Sequence, residues 1–186
     1  MSLIVEQTPL EGLLIVKPKV FRDARGFFVE SYNRESFAKA GITTEFVQDN
    51  HSQSAIGTLR GLHFQTVPGQ VKLIRCTRGR IWDVAVDIRP QSPTFGKHFG
   101  LELTPDDCTM LYIPVGFAHG FLVLSDTAEV QYKCSNVYNP VTEAGVAWND
   151  PDLNVPWPLD QVGGAPLLSE RDTGNASFAD WKKSKG

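Results

Sequence analysis

Apolar residues along this chain gather in short runs separated by glycine and proline, the spacing of strands and turns rather than of long helices. Candidate strands fall at 13–16, 26–31, 58–65, 71–77, 80–88, 99–103, 111–114, 120–124 and 128–134. Several alternate with the period of two expected of a pleated strand. In 81–88, Ile81, Asp83, Ala85 and Asp87 share one face and Trp82, Val84, Val86 and Ile88 the other, so one face reads as core. Helical patterning is confined to 34–40, with Asn33 as N-cap and Gly41 as stop, and to a short stretch at 177–183. Nine or more strands in one domain's length must close or stack to hide their edges. The pattern therefore predicts a mainly β sandwich or barrel with short peripheral helices. The segment 151–158 (PDLNVPWP) is too rich in bulky apolar residues for a linker and is expected to lie extended on the barrel. No repeat or low-complexity tract intervenes, so residues 1–186 read as a single domain.

Composition then narrows the options. A chain of 186 residues can bury roughly 70% of its unfolded surface and needs no disulfide or metal staple. Its 18 basic and 21 acidic side chains leave a formal charge of -3, which argues against a general nucleic-acid binder, because a phosphate backbone calls for a basic face. Cys76, Cys108 and Cys134 show no zinc-ligand spacing and read as reduced, buried residues of a cytoplasmic protein. The opening MSLIVEQTPLEG has no basic n-region and meets Glu6 early, so it is not read as a signal peptide. Apolar stretches such as 121–124 fall far short of the roughly 20 residues that cross a bilayer, and no membrane association is expected.

Candidate chemistry concentrates in GTLRGLHFQTVPGQVKLIRCTRG (57–79) and IPVGFAHGF (113–121). Arg60, His63 and Lys72 lie on or beside two predicted strands joined at Pro68–Gly69, which as a hairpin would bring an imidazole and two cations together. Gly57, His63, Pro114, Gly116 and His119 match the spacing of the cupin signature. Gln65 and Gln70 stand where a metal-binding cupin carries its second histidine and its glutamate. Neutral amides are poor transition-metal ligands, so neither a metal nor another cofactor is expected. A histidine beside cations suits proton abstraction next to a carbonyl: His63 takes the proton while Lys72 and Arg60 stabilise the enolate oxygen. Nearby positive charge also disfavours a second cation and keeps the imidazole neutral. Tyr132 shares a strand face with Val130 and Cys134, so its hydroxyl can enter the same cavity. Inversion at carbon needs a base on one face and a proton donor on the other, and a phenol can be that donor. A hydrogen-bonded core histidine and an inward core tyrosine are the plainer alternatives for each residue alone.

The segments FRDARGFFVESYN, FVQDNHSQS, GTLRGLHFQ, DVAVDIRPQSPTFG, YIPVGFAHGF, YKCSNVYNP, WNDPDL and LLSERD, in this order, closely resemble the dTDP-4-dehydrorhamnose 3,5-epimerase family, metal-free cupins, over about residues 20–172. The resemblance implies a cupin-type jelly roll and an isomerase that inverts C3 and C5 of dTDP-4-dehydro-6-deoxy-D-glucose, each next to the C4 ketone. It implies His63 as general base, Tyr132 as proton donor, Asp172 as the carboxylate that orients His63, and Lys72 as support for the C4 oxyanion. Substrate contacts carry over to Arg25, Glu30, Gln48, Asp49, Asn50, Arg60, His119, Glu143 and Arg171, with Tyr138 stacking on thymine. Arg171 stands where many relatives have lysine, and a planar guanidinium grips phosphate differently from an ammonium. The family also implies a homodimer in which an N-terminal strand completes the partner's sheet, 26–31 being the candidate segment, with Glu30 reaching the neighbouring site. A monofunctional 3- or 5-epimerase of a deoxysugar pathway and a non-catalytic sugar-nucleotide-binding cupin remain as alternatives at this point.

Overall fold

The alternation read in the sequence folds as two antiparallel sheets stacked face to face, in a computed structural model that describes residues 3–184. The chain begins with β1 (Leu3–Gln7), β2 (Leu14–Pro18), β3 (Val20–Asp23), β4 (Gly26–Val29) and helix α1 (Arg34–Lys39). It continues through β5 (Gln48–Ala55), β6 (Leu59–Gln65), β7 (Lys72–Arg78), β8 (Ile81–Asp87), β9 (His98–Leu103), β10 (Met110–Ile113), β11 (Phe117–Val123), β12 (Thr127–Cys134) and β13 (Glu143–Gly145). Helices α2 (Glu170–Thr173) and α3 (Phe178–Lys183) close it. One sheet has the order β1-β2-β10-β7-β12-β5 and the other β13-β6-β11-β8-β9, while among the described residues β3 and β4 pair only with each other. This is the mainly β sandwich that the strand count predicts, in the cupin-type form that the resemblance implies.

Three apolar layers follow from the alternation. Between the sheets lie Leu13, Ile74, Ile81, Ala85, Leu111 and Val130. Outside the five-stranded sheet, Leu62, Val84, Val86 and Leu122 meet Leu153, Trp157 and Phe178. Outside the six-stranded sheet, Val16, Leu73 and Met110 lie under Phe37 of α1. Each fully buried aliphatic or aromatic side chain contributes about 1.5–3 kcal/mol. The segment 151–158 and α3 thus form the cover of the second sheet, as expected for PDLNVPWP, through buried Leu153 and Trp157. That cover buries the Val84 and Val86 face of β8, while Asp83 and Asp87, on the face of Ile81 and Ala85, are fully enclosed between the sheets, so both faces of the strand are buried, not one.

Two further expectations need correction. β6 and β7 do not form a hairpin: they belong to different sheets, with β11 and β13 beside β6 and β10 and β12 beside β7. The Pro68–Gly69 stretch is a crossover between sheets, which sets Lys72 across the sandwich from His63. β5 was absent from the strand pattern because QDNHSQSA is polar on both faces, yet it pairs along its length with β12. The first helix begins as read, Asn33 Oδ1 accepting from the backbone N–H groups of Glu35 and Ser36, whereas at the second Ser177 is the N-cap rather than a helical residue, its Oγ accepting from the Asp180 N–H. All three cysteines are free and buried.

Candidate active site

The site begins with an irregularity in β6. Opposite β11, His119 faces His63 and Phe121 faces Arg60, so β6 uses one more residue than its partner over this stretch. Such a bulge resets the alternation and lets two residues three apart share a face. Gly61 lies inside it at φ +129, where an added Cβ would come 2.5 Å from Gly120 Cα and 2.7 Å from the His119 carbonyl oxygen. Glycine is the residue that fits both that conformation and that approach. The sequence RGLH therefore places a guanidinium and an imidazole on the same wall.

That wall bounds a cavity of about 530 Å³ whose lining includes Arg60, His63, Lys72, His119, Tyr132, Glu143, Arg171 and Asp172. His63, His119 and Arg60 come from the five-stranded sheet, whereas Lys72 and Tyr132 come from the six-stranded one. A smaller recess shares His63, Lys72, Tyr132 and Glu143 and adds Gln48, Asn50 and Tyr138. The cations dispersed in the sequence are thus gathered at one place.

His63 Nε2 lies 2.5 Å from Asp172 Oδ1, and the backbone N–H of Gly61 donates to the same oxygen at 3.4 Å. Ser169 donates its hydroxyl to Asp172 Oδ2 at 2.7 Å and accepts from the Asp172 N–H as the N-cap of α2. Burial alone would raise the Asp172 carboxyl, but His63 and Ser169 outweigh it and hold it below the usual carboxylate range. With Nε2 committed to the carboxylate, Nδ1 is the basic atom of His63. Burial raises the Tyr132 phenol, helped by nearby Cys134, so the hydroxyl keeps its proton at working pH.

His119 is more enclosed, and its Nε2 lies 3.0 and 3.1 Å from the two oxygens of Asp83, which is wholly buried. Burial lowers the His119 imidazole despite that carboxylate. Burial likewise lowers the Lys72 ammonium, while Cys134, Asp83 and Glu143 act to keep it charged. At the rim, Glu143 accepts from Tyr138 Oη at 2.5 Å and pairs with Arg171 at 2.8 Å. Gln48 accepts the Tyr138 N–H at 2.8 Å and donates to Asn50 at 3.0 Å. The Arg60 Nε donates to Ser54 Oγ at 3.1 Å. Gln65 accepts from the Thr142 hydroxyl at 2.6 Å and Gln70 donates to the Asn136 carbonyl at 2.8 Å.

Three of the candidate residues, Arg25, Glu30 and Asp49, are brought neither to this cavity nor to the recess beside it. Arg25 sits on the β3–β4 hairpin against Asp23 with 90% of its side chain exposed. Glu30 accepts from Asn33 and Ser36. Asp49 points to the outer face of β5, where it pairs with Lys133 at 2.9 Å. Sequence reasoning in turn passed over Asp83 and Ser169 as site residues. The signal for Asp83 was present, an acidic residue inside the otherwise apolar strand IWDVAVD.

Comparison with known proteins bears on what this arrangement does. Residues 7–180 match the family model described as dTDP-4-dehydrorhamnose 3,5-epimerase. The dTDP-4-dehydrorhamnose 3,5-epimerase of Escherichia coli K12 is 52% identical over 170 residues, 90% of each chain. The crystal structure of the enzyme of that name from Elizabethkingia anophelis superposes with a TM-score of 0.90 at 46% identity, covering 97% of this chain and 98% of that one. A Legionella pneumophila epimerase, solved in complex with dTDP-4-keto-L-rhamnose, gives a TM-score of 0.90 at 42% identity, covering 95% and 93%.

Proposed function

Since the chain belongs to the dTDP-4-dehydrorhamnose 3,5-epimerase family, we propose that it inverts C3 and C5 of dTDP-4-dehydro-6-deoxy-D-glucose to give dTDP-4-dehydro-L-rhamnose. The observation that carries this reading is that His63 and Tyr132 enter one cavity from opposite sheets. Nδ1 of His63 removes the proton from a carbon next to the C4 ketone, and the electron pair moves onto the C4 oxygen as an enolate. Lys72 stabilises that oxygen, a role worth several kcal/mol in a water-poor cavity. Tyr132 then delivers a proton to the opposite face of the same carbon. Asp172 holds the His63 ring and stabilises the imidazolium that forms. The imidazolium and tyrosinate exchange protons with solvent before the second carbon reacts.

Substrate binding is assigned to the rest of the cavity. Arg60, His119 and Arg171 hold the diphosphate and sugar, and Gln48, Asn50, Glu143 and Tyr138 receive the base end, Tyr138 by stacking on thymine. The whole chain, 1–186, acts as one domain, in the cytoplasm, in keeping with its free cysteines. Among the described residues no helix is long and apolar enough to cross a membrane. It works as a homodimer, for among the described residues the β3–β4 hairpin pairs with no other strand, and it exposes Phe27 and Phe28. Arg25 and Glu30 on and beside that hairpin, like Asp49, are then contributions to a site completed by a partner.

Incubation with the dTDP-4-keto sugar in deuterated buffer, followed by NMR, tests the function. Deuterium at both C3 and C5 with the L-rhamno product is expected. Exchange at one carbon alone would replace the double epimerase with a monofunctional one.

A further inference from the structure

Asp83 is the most deeply buried acid beside the cavity, and the mechanism above assigns it nothing. It lies on β8, with 0% of its surface exposed, one strand away from the β6 wall that bears His63. Among the described residues the hydrogen-bond donor to its carboxylate is the His119 ring, 3.0 and 3.1 Å from its two oxygens. A buried carboxylate with one donor is costly unless a cation lies near. The cation is Lys72, which enters the cavity from the facing sheet and lines it together with His119, the partner of Asp83; the Asp83 carboxylate acts to keep it charged.

We propose that Asp83 is the positioning residue of this part of the cavity: it holds His119 in the Nε2–H form and supplies the buried negative charge against which Lys72 remains an ammonium. The two histidine–aspartate pairs then have opposite duties. His63 keeps Nδ1 free to take a proton from carbon, in a partly open position. His119 stays neutral, and its Nδ1 is an acceptor for a sugar hydroxyl rather than a donor to the C4 oxygen. Oxyanion stabilisation falls to Lys72, whose charge depends on its surroundings. The groups around that lysine are Asp83 on β8, Glu143 on β13, Cys134 on β12 and Arg171 on α2, with His119 on β11 nearby. Glu143 is already engaged by the Arg171 cation and by Tyr138, whereas the partner of Asp83 is an imidazole held neutral, so the charge of Asp83 remains to balance Lys72.

The inference rests on the epimerase reading for its kinetic test and on the fold alone for its spectroscopic one. Asp83→Asn keeps the shape and an acceptor for Nε2–H while removing the charge. Solvent-deuterium exchange into the dTDP-4-keto sugar is expected to lose roughly tenfold to hundredfold in kcat in alkaline buffer, the scale of one charge-assisted hydrogen bond. The wild-type to variant ratio should shrink as pH falls from about 9 to about 6, because acid restores the Lys72 ammonium. A ratio independent of pH would overturn the proposal, since a merely structural defect has no reason to follow lysine protonation. Nitrogen-15 NMR of histidine-labelled wild-type protein, with His119→Gln for assignment, decides the tautomer even if Asp83→Asn does not fold. An Nε2–H signal for His119 is expected, and an Nδ1–H signal would overturn the proposal. Wild-type protein that fails to exchange either carbon would count against the epimerase reading, and the tautomer measurement would still decide the role of Asp83.

Discussion

Replacing Asp172 by asparagine is the most informative single change to the proposed base. In the native site Oδ1 receives His63 Nε2 at 2.5 Å and the Gly61 N–H at 3.4 Å, and Oδ2 receives the Ser169 hydroxyl at 2.7 Å. An asparagine can present its oxygen to His63 and Gly61 because the Ser169 hydroxyl can turn from donor to acceptor, whereas the Gly61 N–H cannot. The His63 tautomer then survives and the loss is mainly that of the anion beside the forming imidazolium. A hydrogen bond to a charged group is worth about 1.5–3 kcal/mol against about 0.5–1.5 for a neutral one. The difference, with the lost attraction, corresponds to roughly 10- to 100-fold in rate at 1.4 kcal/mol per tenfold. If instead the amide turns its NH2 toward His63, Nδ1 loses its lone pair and the fall is larger, as in serine-protease triads where the same change costs about 10⁴. The assay is the initial rate of deuterium entry at C3 and C5, with kcat and KM determined separately. A fall in kcat with KM within about threefold is expected, because the role proposed for Asp172 is to act on His63 rather than to bind substrate. Unchanged exchange, or a defect confined to KM, would refute the assignment of His63 and Asp172 as the base.

Tyr132→Phe should leave solvent exchange measurable while net inversion falls by about 10²- to 10⁴-fold, the usual scale for a general acid; inversion at the wild-type rate would remove Tyr132 from the donor role. Lys72→Ala should lower kcat far more than it raises KM, and a change in KM alone would make Lys72 a substrate-binding cation instead. For stability, Asp87 is the test. Burial would raise its carboxyl, but Arg89, Ser92 and Thr94 together bring it from 3.8 to about 2. A depressed acid stabilises the fold above its unfolded value and loses that contribution as pH falls through the folded one, here over the window between about 5 and about 2. Asp87→Asn should therefore cost about 2 kcal/mol near neutral pH and progressively less toward pH 2 in denaturant titrations; a pH-independent cost would reject the ionic explanation.

The parts of the fold legible in the sequence are those governed by local patterning. The strands around Ile74, Val84, Leu111 and Val130 alternate, and the helix at Arg34 carries Asn33 as its cap. What escaped was set by distant neighbours. Pro68–Gly69 has the chemistry of a hairpin turn, but whether the chain turns back or crosses over depends on the partners of β6 and β7, which lie far along the sequence. β5 is polar on both faces because one lines a cavity and the other meets solvent, so no hydrophobic period marks it. The same logic governs the site. His63, Lys72, Tyr132 and Asp172 stand in motifs specific enough to single out, and the fold brings them to one cavity. Asp83 points between the sheets toward His119, a neighbour 36 residues away that the local pattern of its strand does not reveal. Arg25 and Glu30 do not reach the cavity of their own chain, so a role for them requires a neighbour. The crossover misread as a hairpin is what matters most for the chemistry. It places Lys72 on the sheet opposite His63, beside the strand that bears Tyr132, and the proposed mechanism uses that opposition to take a proton from one face of a carbon and return one to the other.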